Sequence, residues 1–431
     1  WWGYALFRRY IPGVALYATA AFVLAPGFLI NQNIMVDTPL LAMITGAMYF
    51  ITKEPLKGRD AGIAFLLFTL ALLTKYTALF LYPAMVWAAL VHRRTLVWAL
   101  LPIAGLVLWS LFNIYDFGDV HILNRPPNGR GLVPSPKLTY GVVAAMGAFA
   151  TPFAAALIFG HKWCLAWAAL WGATVIAFVA IGMAFFGEDP IFYVFLNGLL
   201  FAGCIVLGVA AALYSLQFLV ALITSRGNVV AWYQNNRVEL TLLAWLLGGV
   251  GFLATFPPFM ATRHVMLLMP PLIILAFAGK DILLTKRVSA TVLGLWTVFA
   301  VYVFENDRQF AVFYRDMAPK MAAEAEKVAG PNAKIFTRGH WGWQWYIRGT
   351  GMIEYTGDPN QIQSGDILVD PVNTSEIPID NMDDYELIET FWQERRFTTV
   401  LDTHTLYAEH ISMMPNLIPN EGRRIDILRK K

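Results

Sequence analysis

The chain has 431 residues, of which 58% are hydrophobic and 14% are charged, and it contains 30 Phe and 15 Trp. One water-soluble core cannot bury this much apolar surface, which excludes an ordinary soluble protein and indicates a membrane protein. The formal net charge of +3 is unevenly distributed, with 18 Lys and Arg against 9 Asp and Glu up to Phe304, and 14 against 20 beyond it. The acidic tail disfavours binding to nucleic acid, because it would repel phosphate.

Apolar segments recur from the start of the chain to Phe304. A helix needs about 20 apolar residues to cross a bilayer, and fewer where other helices surround it. The segments run approximately over residues 11–30, 37–52, 60–75, 76–91, 94–114, 138–159, 163–186, 191–222, 238–257, 262–279 and 288–304. They predict a polytopic α-helical membrane protein with about 11 transmembrane helices.

Lys and Arg are concentrated in every second connection, which is the pattern expected where basic residues accumulate on the cytoplasmic side. The connections predicted to be cytoplasmic contain Arg8 and Arg9, then Lys53, Lys57 and Arg59, then Arg93 and Arg94, Lys162, Arg226 and Arg237, and finally Lys280, Lys286 and Arg287. The opposite connections and the acidic tail are therefore predicted to be extracytoplasmic.

The tail has the pattern of a small soluble domain. An amphipathic helix is predicted near Phe313–Ala329, because Gly330 and Pro331 would stop it. Short apolar or β-branched runs then predict strands at Ala333–Thr337, Gly351–Tyr355 and Asp366–Val369. We therefore predict a transmembrane domain at residues 1–304 and a soluble extracytoplasmic α/β domain at residues 305–431.

Three charged residues interrupt apolar segments at their outward ends, namely Asp37, Lys75 and Arg263. Charge at membrane depth is unfavourable, so each such residue needs a partner or a function. Two cations can neutralise the phosphate of an anionic lipid, while a carboxylate can orient or deprotonate a hydroxyl nucleophile. This combination is typical of a transferase that uses a lipid-linked substrate.

Each of the three residues also has a structural interpretation. Asp37 could cap a helix that begins at Thr38 and Pro39, since Asp before such a Pro is a strong cap signal. Lys75 could be a turn residue whose ammonium group extends to the membrane interface. Arg263 could bind a lipid headgroup, with His264 as a passive neighbour.

Three short motifs follow one another in the apolar part of the chain. They are Val36-Asp37-Thr38-Pro39-Leu40 after Arg8-Arg9, then Leu72-Leu73-Thr74-Lys75-Tyr76, and then Arg263-His264-Val265 running to Pro270-Pro271. In this order they resemble the family 39 type of GT-C glycosyltransferases, which includes protein O-mannosyltransferases and the aminoarabinose transferase of lipid A. The resemblance covers about residues 1–304 and implies a GT-C-like fold in the bacterial inner membrane, with a periplasmic C-terminal domain.

The resemblance also implies a reaction. A sugar would pass with inversion from a polyprenyl-phosphate donor to a hydroxyl of a lipid, glycan or protein acceptor. Asp37 would match the second acidic position of the family and act in catalysis, while Lys75, Arg263 and His264 would hold the lipid phosphate. The principal acid of the family would precede Trp1, so we expect further sequence upstream.

The sequence predicts no metal site. A divalent ion could neutralise phosphate, but it needs several oxygen ligands, and only Asp37 is well placed. Cys164 and Cys204 lie inside apolar runs, which suggests neither a disulfide nor a metal cluster. The polyprenyl-phosphate-linked sugar that the resemblance implies is the one expected donor molecule. Whether the transfer depends on a metal ion stays open.

Two other functions fit parts of the pattern. A transporter would place charges near the middle of its spans and show inverted repeats, whereas these charges lie at one face. A non-catalytic subunit of a membrane complex could have kept the transferase scaffold while lacking a competent base. Expected partners are membrane lipid, the lipid-linked donor, an acceptor and, in the second case, other membrane subunits.

Overall fold

The structure is a computed structural model that describes residues 1–31, 36–90, 93–123, 133–186, 191–224, 229–257, 260–339, 342–374, 377–379, 381–393 and 423–431. The described residues up to Val301 form one compact unit, and those from Tyr302 onward form a second. The first unit is helical, and the second contains a small sheet.

Helices follow one another through the first unit. They are α1 Trp2–Tyr10, α2 Ala15–Val23, α3 Pro26–Leu29, α4 Asp37–Ile51, α5 Gly58–Thr74, α6 Tyr82–Ala89, α7 Arg93–Leu96, α8 Leu100–Phe117, α9 Pro136–Gly160, α10 Cys164–Phe186, α11 Ile191–Thr224, α12 Val229–Asn235, α13 Arg237–Thr255, α14 Thr262–Val265, α15 Met269–Phe277 and α16 Lys286–Val328. Short 3₁₀ turns cover Pro12–Val14, Tyr76–Leu81, Val97–Ala99 and Met266–Leu268.

Six helical stretches in the described residues are long and apolar enough to cross a membrane. They are Val97–Phe117, Leu138–Gly160, Cys164–Ile181, Asn197–Gln217, Arg237–Thr255 and Lys286–Glu305. Shorter apolar stretches cover Pro12–Val23, Asp37–Ile51, Tyr76–Ala89 and Thr262–Phe277. The chain is therefore a multi-pass membrane protein by length and composition, and the count of about 11 spans stays a prediction.

Prolines explain why several predicted segments are short or broken. Pro26 begins α3 and so divides the segment predicted at 11–30 into two helices. The segment predicted at 262–279 divides into α14, a 3₁₀ turn and α15, whose first turn contains Pro270 and Pro271. Proline lacks an amide hydrogen and favours the first turn of a helix. These breaks place helix ends inside the apolar unit, where they can carry polar side chains.

The helices of the first unit differ in how deeply they are buried. Helix α9 is the most enclosed of the candidate spans, with 78% of its most apolar window buried. The corresponding shares for α8 and α10 are 17% and 11%. An apolar helix that is exposed to this extent is suited to contact with lipid. Helix α9 therefore belongs to the core of the unit, and α8 and α10 to its lipid-facing periphery.

A buried arginine joins three segments at the predicted cytoplasmic end of the first unit. The Arg237 side chain donates hydrogen bonds from Nη1 to the carbonyl oxygens of Ile51 at 3.0 Å and Ala88 at 3.3 Å. Its Nη2 donates to the carbonyl oxygen of Lys53 at 2.7 Å. The last carbonyls of a helix lack partners within the helix and carry partial negative charge. Arg237 therefore satisfies the C-terminal ends of α4 and α6.

The second unit contains the last part of α16, a short helix and a five-stranded sheet. The helix is α17 Gly342–Tyr346, and the strands are β1 Ile335–Thr337, β2 Ile353–Glu354, β3 Ile367–Asp370, β4 Tyr385–Gln393 and β5 Arg423–Lys430. The strand order is β2-β1-β3-β5-β4. Strand β1 is parallel to β2 and β3, whereas β5 is antiparallel to β3 and β4. The sheet is therefore mixed.

The sheet buries apolar side chains on both faces. On one face, Ile367 and Val369 of β3 pack in a cluster with Tyr314 and Met321 of α16 and with Trp343 of α17. The alternate residue Leu368 joins a second cluster that includes Phe336 and Leu428. This alternation is the period of two that a strand imposes. Near the sheet, Trp343 is buried and Trp345 is 64% exposed.

Helix α16 differs from its prediction. The sequence predicts a span that ends at Phe304 and a separate helix that starts near Phe313, but α16 is continuous from Lys286 to Val328. The residues between 305 and 318 include neither Gly nor Pro, so nothing in the local sequence stops the helix. Its end at Val328, just before Gly330 and Pro331, agrees with the stop that those two residues predict.

Candidate functional site

The three charged residues singled out in the sequence meet in the first unit. Asp37 is the first residue of α4, and Lys75 directly follows the last residue of α5. Arg263 and His264 belong to the short helix α14. Because each residue lies at a helix end or in a one-turn helix, the chain can present polar groups there without interrupting a long apolar helix. We call Asp37, Lys75 and Arg263 the Asp37 cluster.

One carboxylate and two cations are in contact in the Asp37 cluster. The Lys75 ammonium nitrogen Nζ lies 2.7 Å from Oδ1 of Asp37, and Nε of Arg263 lies 4.0 Å from Oδ2. The side chain of Asp37 is 2% exposed, that of Arg263 is 12% exposed and that of Lys75 is 23% exposed. The carboxylate is thus enclosed, and the two cations lie between it and the surroundings.

The two oxygens of Asp37 have different environments. Oδ1 accepts a hydrogen bond from Lys75. Oδ2 is buried and accepts no hydrogen bond from any of the described residues. A buried carboxylate oxygen without a hydrogen bond is energetically unfavourable, and it is therefore a suitable acceptor for a bound hydroxyl group.

The capping interpretation of Asp37 does not account for this geometry. Asp37 is itself the first helical residue, and Val36 is the residue that precedes α4. Among the described residues, the carboxylate accepts its hydrogen bond from Lys75 and none from the backbone of α4. The partial positive charge at the start of α4 still stabilises the carboxylate. The helix end therefore favours a negative charge at residue 37 and leaves the carboxylate oxygens to other partners.

His264 and a second polar pair extend the cluster. His264 follows Arg263 in α14, and the positive charges of Lys75 and Arg263 are both close enough to its ring to interact with it electrostatically. Next to Arg263, Thr262 Oγ1 accepts a hydrogen bond of 3.1 Å from Nδ2 of the buried Asn31. Nδ2 of Asn31 also donates to the carbonyl oxygen of Gly27, so Asn31 ties the end of α3 to α14. The sequence alone did not link Asn31 to the site, although a polar residue after an apolar run was a usable signal.

An aromatic group lies next to Lys75 in the chain. Nε1 of Trp109 donates a hydrogen bond of 2.8 Å to the hydroxyl oxygen of Tyr76. The imidazole ring of His121 lies 5.8 Å from the ring of Tyr76, centroid to centroid. Aromatic rings with polar edges are frequent in the walls of small-molecule sites. The sequence pattern does not reveal this group, because its members come from three separate segments.

The described residues provide few side-chain ligands for a metal ion. Within the described ranges, no three His, Cys, Asp or Glu side chains converge as ligands. In the Asp37 cluster only one residue is a carboxylate, and its partners are cations. A divalent cation needs several oxygen ligands, so this arrangement fits an anion better than a metal.

No family model matches the chain, and no curated protein matches it. Two solved structures resemble it, both of ArnT from Cupriavidus metallidurans. The crystal structure in the apo state has 15% sequence identity and a TM-score of 0.35, and the crystal structure bound to undecaprenyl phosphate has 14% identity and a TM-score of 0.33. Each comparison covers 86% of this chain and 76% of the ArnT chain. The likeness is low, and the geometry of the Asp37 cluster carries the functional argument.

Proposed function

We propose that the chain is a glycosyltransferase that moves a sugar from a polyprenyl-phosphate donor to a hydroxyl group at the extracytoplasmic face of a membrane. The observation that carries this proposal is the enclosed Asp37 carboxylate in contact with Lys75 and near Arg263. The order of the three sequence motifs also supports it. The acceptor hydroxyl belongs to a lipid, a glycan or a protein.

The charge of the Asp37 cluster suits a phosphate. Two cations oppose one carboxylate, which leaves an excess of one positive charge in a largely buried place. The phosphodiester of a lipid-linked sugar carries one negative charge and would balance this excess. Electrostatic attraction is stronger where water is excluded. The cluster therefore binds the phosphate through Lys75 and Arg263, with His264 beside them.

The cluster also contains groups that can take part in the transfer. The acceptor hydroxyl donates a hydrogen bond to Oδ2 of Asp37, which orients its oxygen towards the anomeric carbon of the sugar. A new C–O bond forms at that carbon while its bond to the phosphate oxygen breaks, and the polyprenyl phosphate leaves with the electron pair. Lys75 and Arg263 stabilise the charge that develops on the leaving phosphate, and the hydroxyl proton passes to the carboxylate.

The position of the cluster supports the proposed sidedness. Asp37 begins α4, whereas Arg237 contacts the carbonyl oxygens of Ile51 and Lys53 at the other end of the same helix. The end of α4 that Arg237 satisfies is the one predicted to be cytoplasmic from the distribution of Lys and Arg. We therefore assign the Asp37 cluster to the extracytoplasmic side of a bacterial inner membrane. The charge distribution of the sequence separately predicts an extracytoplasmic domain at residues 305–431.

Turnover tests the proposal. The full chain, purified in detergent, is assayed for release of polyprenyl phosphate from sugar-linked donors, first as wild type and then as Asp37→Asn. The matched control is Asp60→Asn, which breaks the 2.6 Å ion pair between Lys53 and Asp60 in the connection that contains Lys53. We expect Asp37→Asn to lower turnover by about 100-fold or more, as loss of a general base does, and Asp60→Asn to retain it.

Equal turnover in Asp37→Asn and the wild type would refute the catalytic role. A wild type that binds donor but never turns it over would instead support a non-catalytic subunit with a retained transferase scaffold. A transporter is less consistent with the structure, because Asp37 and its partner Lys75 lie at helix ends and not at mid-helix.

A further inference from the structure

A second group of basic residues lies in the first unit, away from the Asp37 cluster in sequence. His161 and Lys162 form the connection between α9 and α10, and Lys280 follows α15. The two connections are joined by a hydrogen bond of 2.9 Å from the amide of Leu283 to the carbonyl oxygen of Gly160. We call His161, Lys162 and Lys280 the basic patch.

The close approach of the two connections depends on a glycine. A Cβ atom at Gly160 would lie 2.8 Å from Cγ2 of Ile282 and 3.1 Å from Cδ2 of Leu284. Real Cβ atoms essentially never come within 3.0 Å of another heavy atom. Gly160 therefore lets the segment after Lys280 pack directly against the end of α9, which brings Lys280 towards His161.

The two lysines of the basic patch form no ion pair with a carboxylate among the described residues. Among the described residues, neither Lys162 nor Lys280 has a carboxylate oxygen within 4.0 Å. Lys280 instead donates to the carbonyl oxygen of Ala210 at 3.3 Å and lies 5.6 Å from the centre of the Tyr214 ring. Asp281 is the acidic residue nearest in sequence, and it is exposed. The patch therefore carries an excess of positive charge.

The titration properties of the patch agree with this picture. Burial lowers the pKa of Lys280 to about 8. Burial and the charges of Lys280 and Lys162 lower the pKa of His161, while the charge of Asp281 opposes them, and the net lowering favours a neutral ring at pH 7. Nδ1 of His161 accepts a hydrogen bond of 3.1 Å from Nε1 of Trp167. The proton of the neutral ring therefore lies on Nε2, which makes His161 a donor to an anion.

Exposed apolar side chains adjoin the patch. Trp163 is 61% exposed, Leu165 is 83% exposed and Leu283 is 81% exposed. Tryptophan is enriched where a membrane meets water, and exposed leucines beside it are suited to acyl chains. An anion that binds here would therefore carry apolar chains, which a free phosphate lacks.

We propose that the basic patch binds the headgroup of an anionic phospholipid. Lys162 and Lys280 contact the phosphate, His161 donates a hydrogen bond from Nε2, and Trp163 and Leu283 contact the glycerol and the start of the acyl chains. Basic groups between transmembrane helices on the cytoplasmic side are suited to such headgroups. This lipid site is separate from the donor site and does not depend on the proposed transfer.

Native mass spectrometry of the detergent-purified full chain tests the proposal. The protein is titrated with phosphatidylglycerol and, separately, with phosphatidylcholine, and the fraction carrying one lipid is measured. We expect phosphatidylglycerol to bind more tightly. The double variant Lys162→Gln/Lys280→Gln is expected to lower its affinity roughly tenfold or more. The matched control is Lys57→Gln/Arg59→Gln, which removes the same charge from two exposed residues around the start of α5.

The outcomes separate the proposal from its alternatives. Retained affinity in Lys280→Arg, together with loss in the double variant, would support a charge contact, since arginine keeps the charge. Unchanged phosphatidylglycerol binding in the double variant would refute the site, and so would an equal loss in the control or equal binding of phosphatidylcholine. Displacement of the lipid by millimolar inorganic phosphate would also overturn it, because the site would then recognise phosphate alone. Thermal unfolding of each variant confirms that it is folded.

Discussion

Cations lie at both ends of helix α4, but they have different partners. At the C-terminal end, the Arg237 guanidinium donates to three backbone carbonyls between 2.7 and 3.3 Å. At the N-terminal end, Lys75 and Arg263 share the single carboxylate of Asp37, and Oδ2 of that carboxylate accepts no hydrogen bond from the described residues. The first arrangement is complete and stabilises the fold, whereas the second can still accept a ligand.

The second unit shows what a complete ion pair looks like in the same chain. Nε of Arg338 donates to Oδ1 of Asp370 at 2.8 Å, and Nη2 donates to Oδ2 at 2.7 Å. The third nitrogen, Nη1, donates to the carbonyl oxygen of Ile377. Both oxygens of Asp370 are thus satisfied in a bidentate pair. Asp37 differs in that Oδ2 accepts no hydrogen bond from the described residues, although its side chain is as deeply buried as that of Asp370.

The largest effect on stability is expected at Arg237. Arg237→Met leaves the carbonyl oxygens of Ile51, Lys53 and Ala88 without their donor, so we expect the free energy of unfolding to fall by about 4 kcal/mol. Thermal unfolding in detergent measures this change. Arg59→Met, at an exposed arginine of the same predicted face, is the control and should change little. A small effect at Arg237 would show that its hydrogen bonds are replaceable.

A somewhat smaller loss is expected at Arg338. Arg338→Met leaves Asp370 buried without its cation and should lower the stability of the fold by about 3 kcal/mol at neutral pH. The control is Arg315→Met, which breaks an exposed pair whose side chains are 59% and 50% exposed. Thermal unfolding followed by circular dichroism would report the change. Equal losses in both variants would contradict the special role of the buried pair.

Acid should partly reverse the Arg338 defect. Burial raises the pKa of Asp370 above its ordinary value, and the loss of Arg338 would raise this pKa further. A raised pKa means that the folded state binds the proton more tightly than the unfolded state. The stability contributed by protonated Asp370 is therefore present at low pH and is lost as the pH rises through the raised pKa. Unfolding measured from pH 7 down towards pH 4 should show the gap between variant and wild type narrow.

The loss of stability on replacing Lys75 should depend on its partner Asp37. Lys75→Met leaves Asp37 without its 2.7 Å partner and should lower stability by about 2 kcal/mol. The double variant Lys75→Met/Asp37→Asn should recover part of this loss, because the amide is neutral. Thermal unfolding of the wild type, Lys75→Met, Asp37→Asn and the double variant gives the coupling free energy between the two residues. Additive effects would show that the two residues are not coupled as the structure indicates.

The smallest pairwise contribution is expected between Arg263 and Asp37. Nε of Arg263 lies 4.0 Å from Oδ2 of Asp37, at the limit of an ion pair. The coupling free energy between these two residues, measured by thermal unfolding of Arg263→Met, Asp37→Asn and the double variant, should be less than about 1 kcal/mol, and Arg263→Met should weaken binding of a polyprenyl phosphate. A stability loss as large as that of Lys75→Met, with unchanged ligand affinity, would identify Arg263 as a structural residue.

Part of this arrangement could be predicted from the sequence. The interruptions of apolar segments by Asp37, Lys75 and Arg263 indicated one shared face, because helix length and charge alternation determine where such residues emerge. Strands β1 to β3 followed from their β-branched and apolar runs between Gly, Asp and Pro. These signals are local or strictly periodic, so one sequence suffices to read them.

Other features depend on tertiary contacts and were not predicted. Strand β5 begins with Arg423 and Arg424, and its charged residues conceal the buried Ile425 and Ile427. The hydrogen bonds from Arg237 to carbonyl oxygens depend on segments that are distant in sequence. Local sequence patterns carry no information about such long-range contacts. The same holds for the contact of Tyr76 with Trp109.

The central claim is that the Asp37 cluster holds the phosphate of a lipid-linked donor, and binding of a polyprenyl phosphate to the purified full chain tests it most directly. We expect Lys75→Met/Arg263→Met to lower the affinity by roughly 100-fold, since each charge-assisted hydrogen bond is worth about 1.5–3 kcal/mol. The control Lys57→Met/Arg59→Met, which removes the same charge from exposed residues, should bind as the wild type does. Equal affinity in wild type and the cluster variant, with both folded, would contradict the claim.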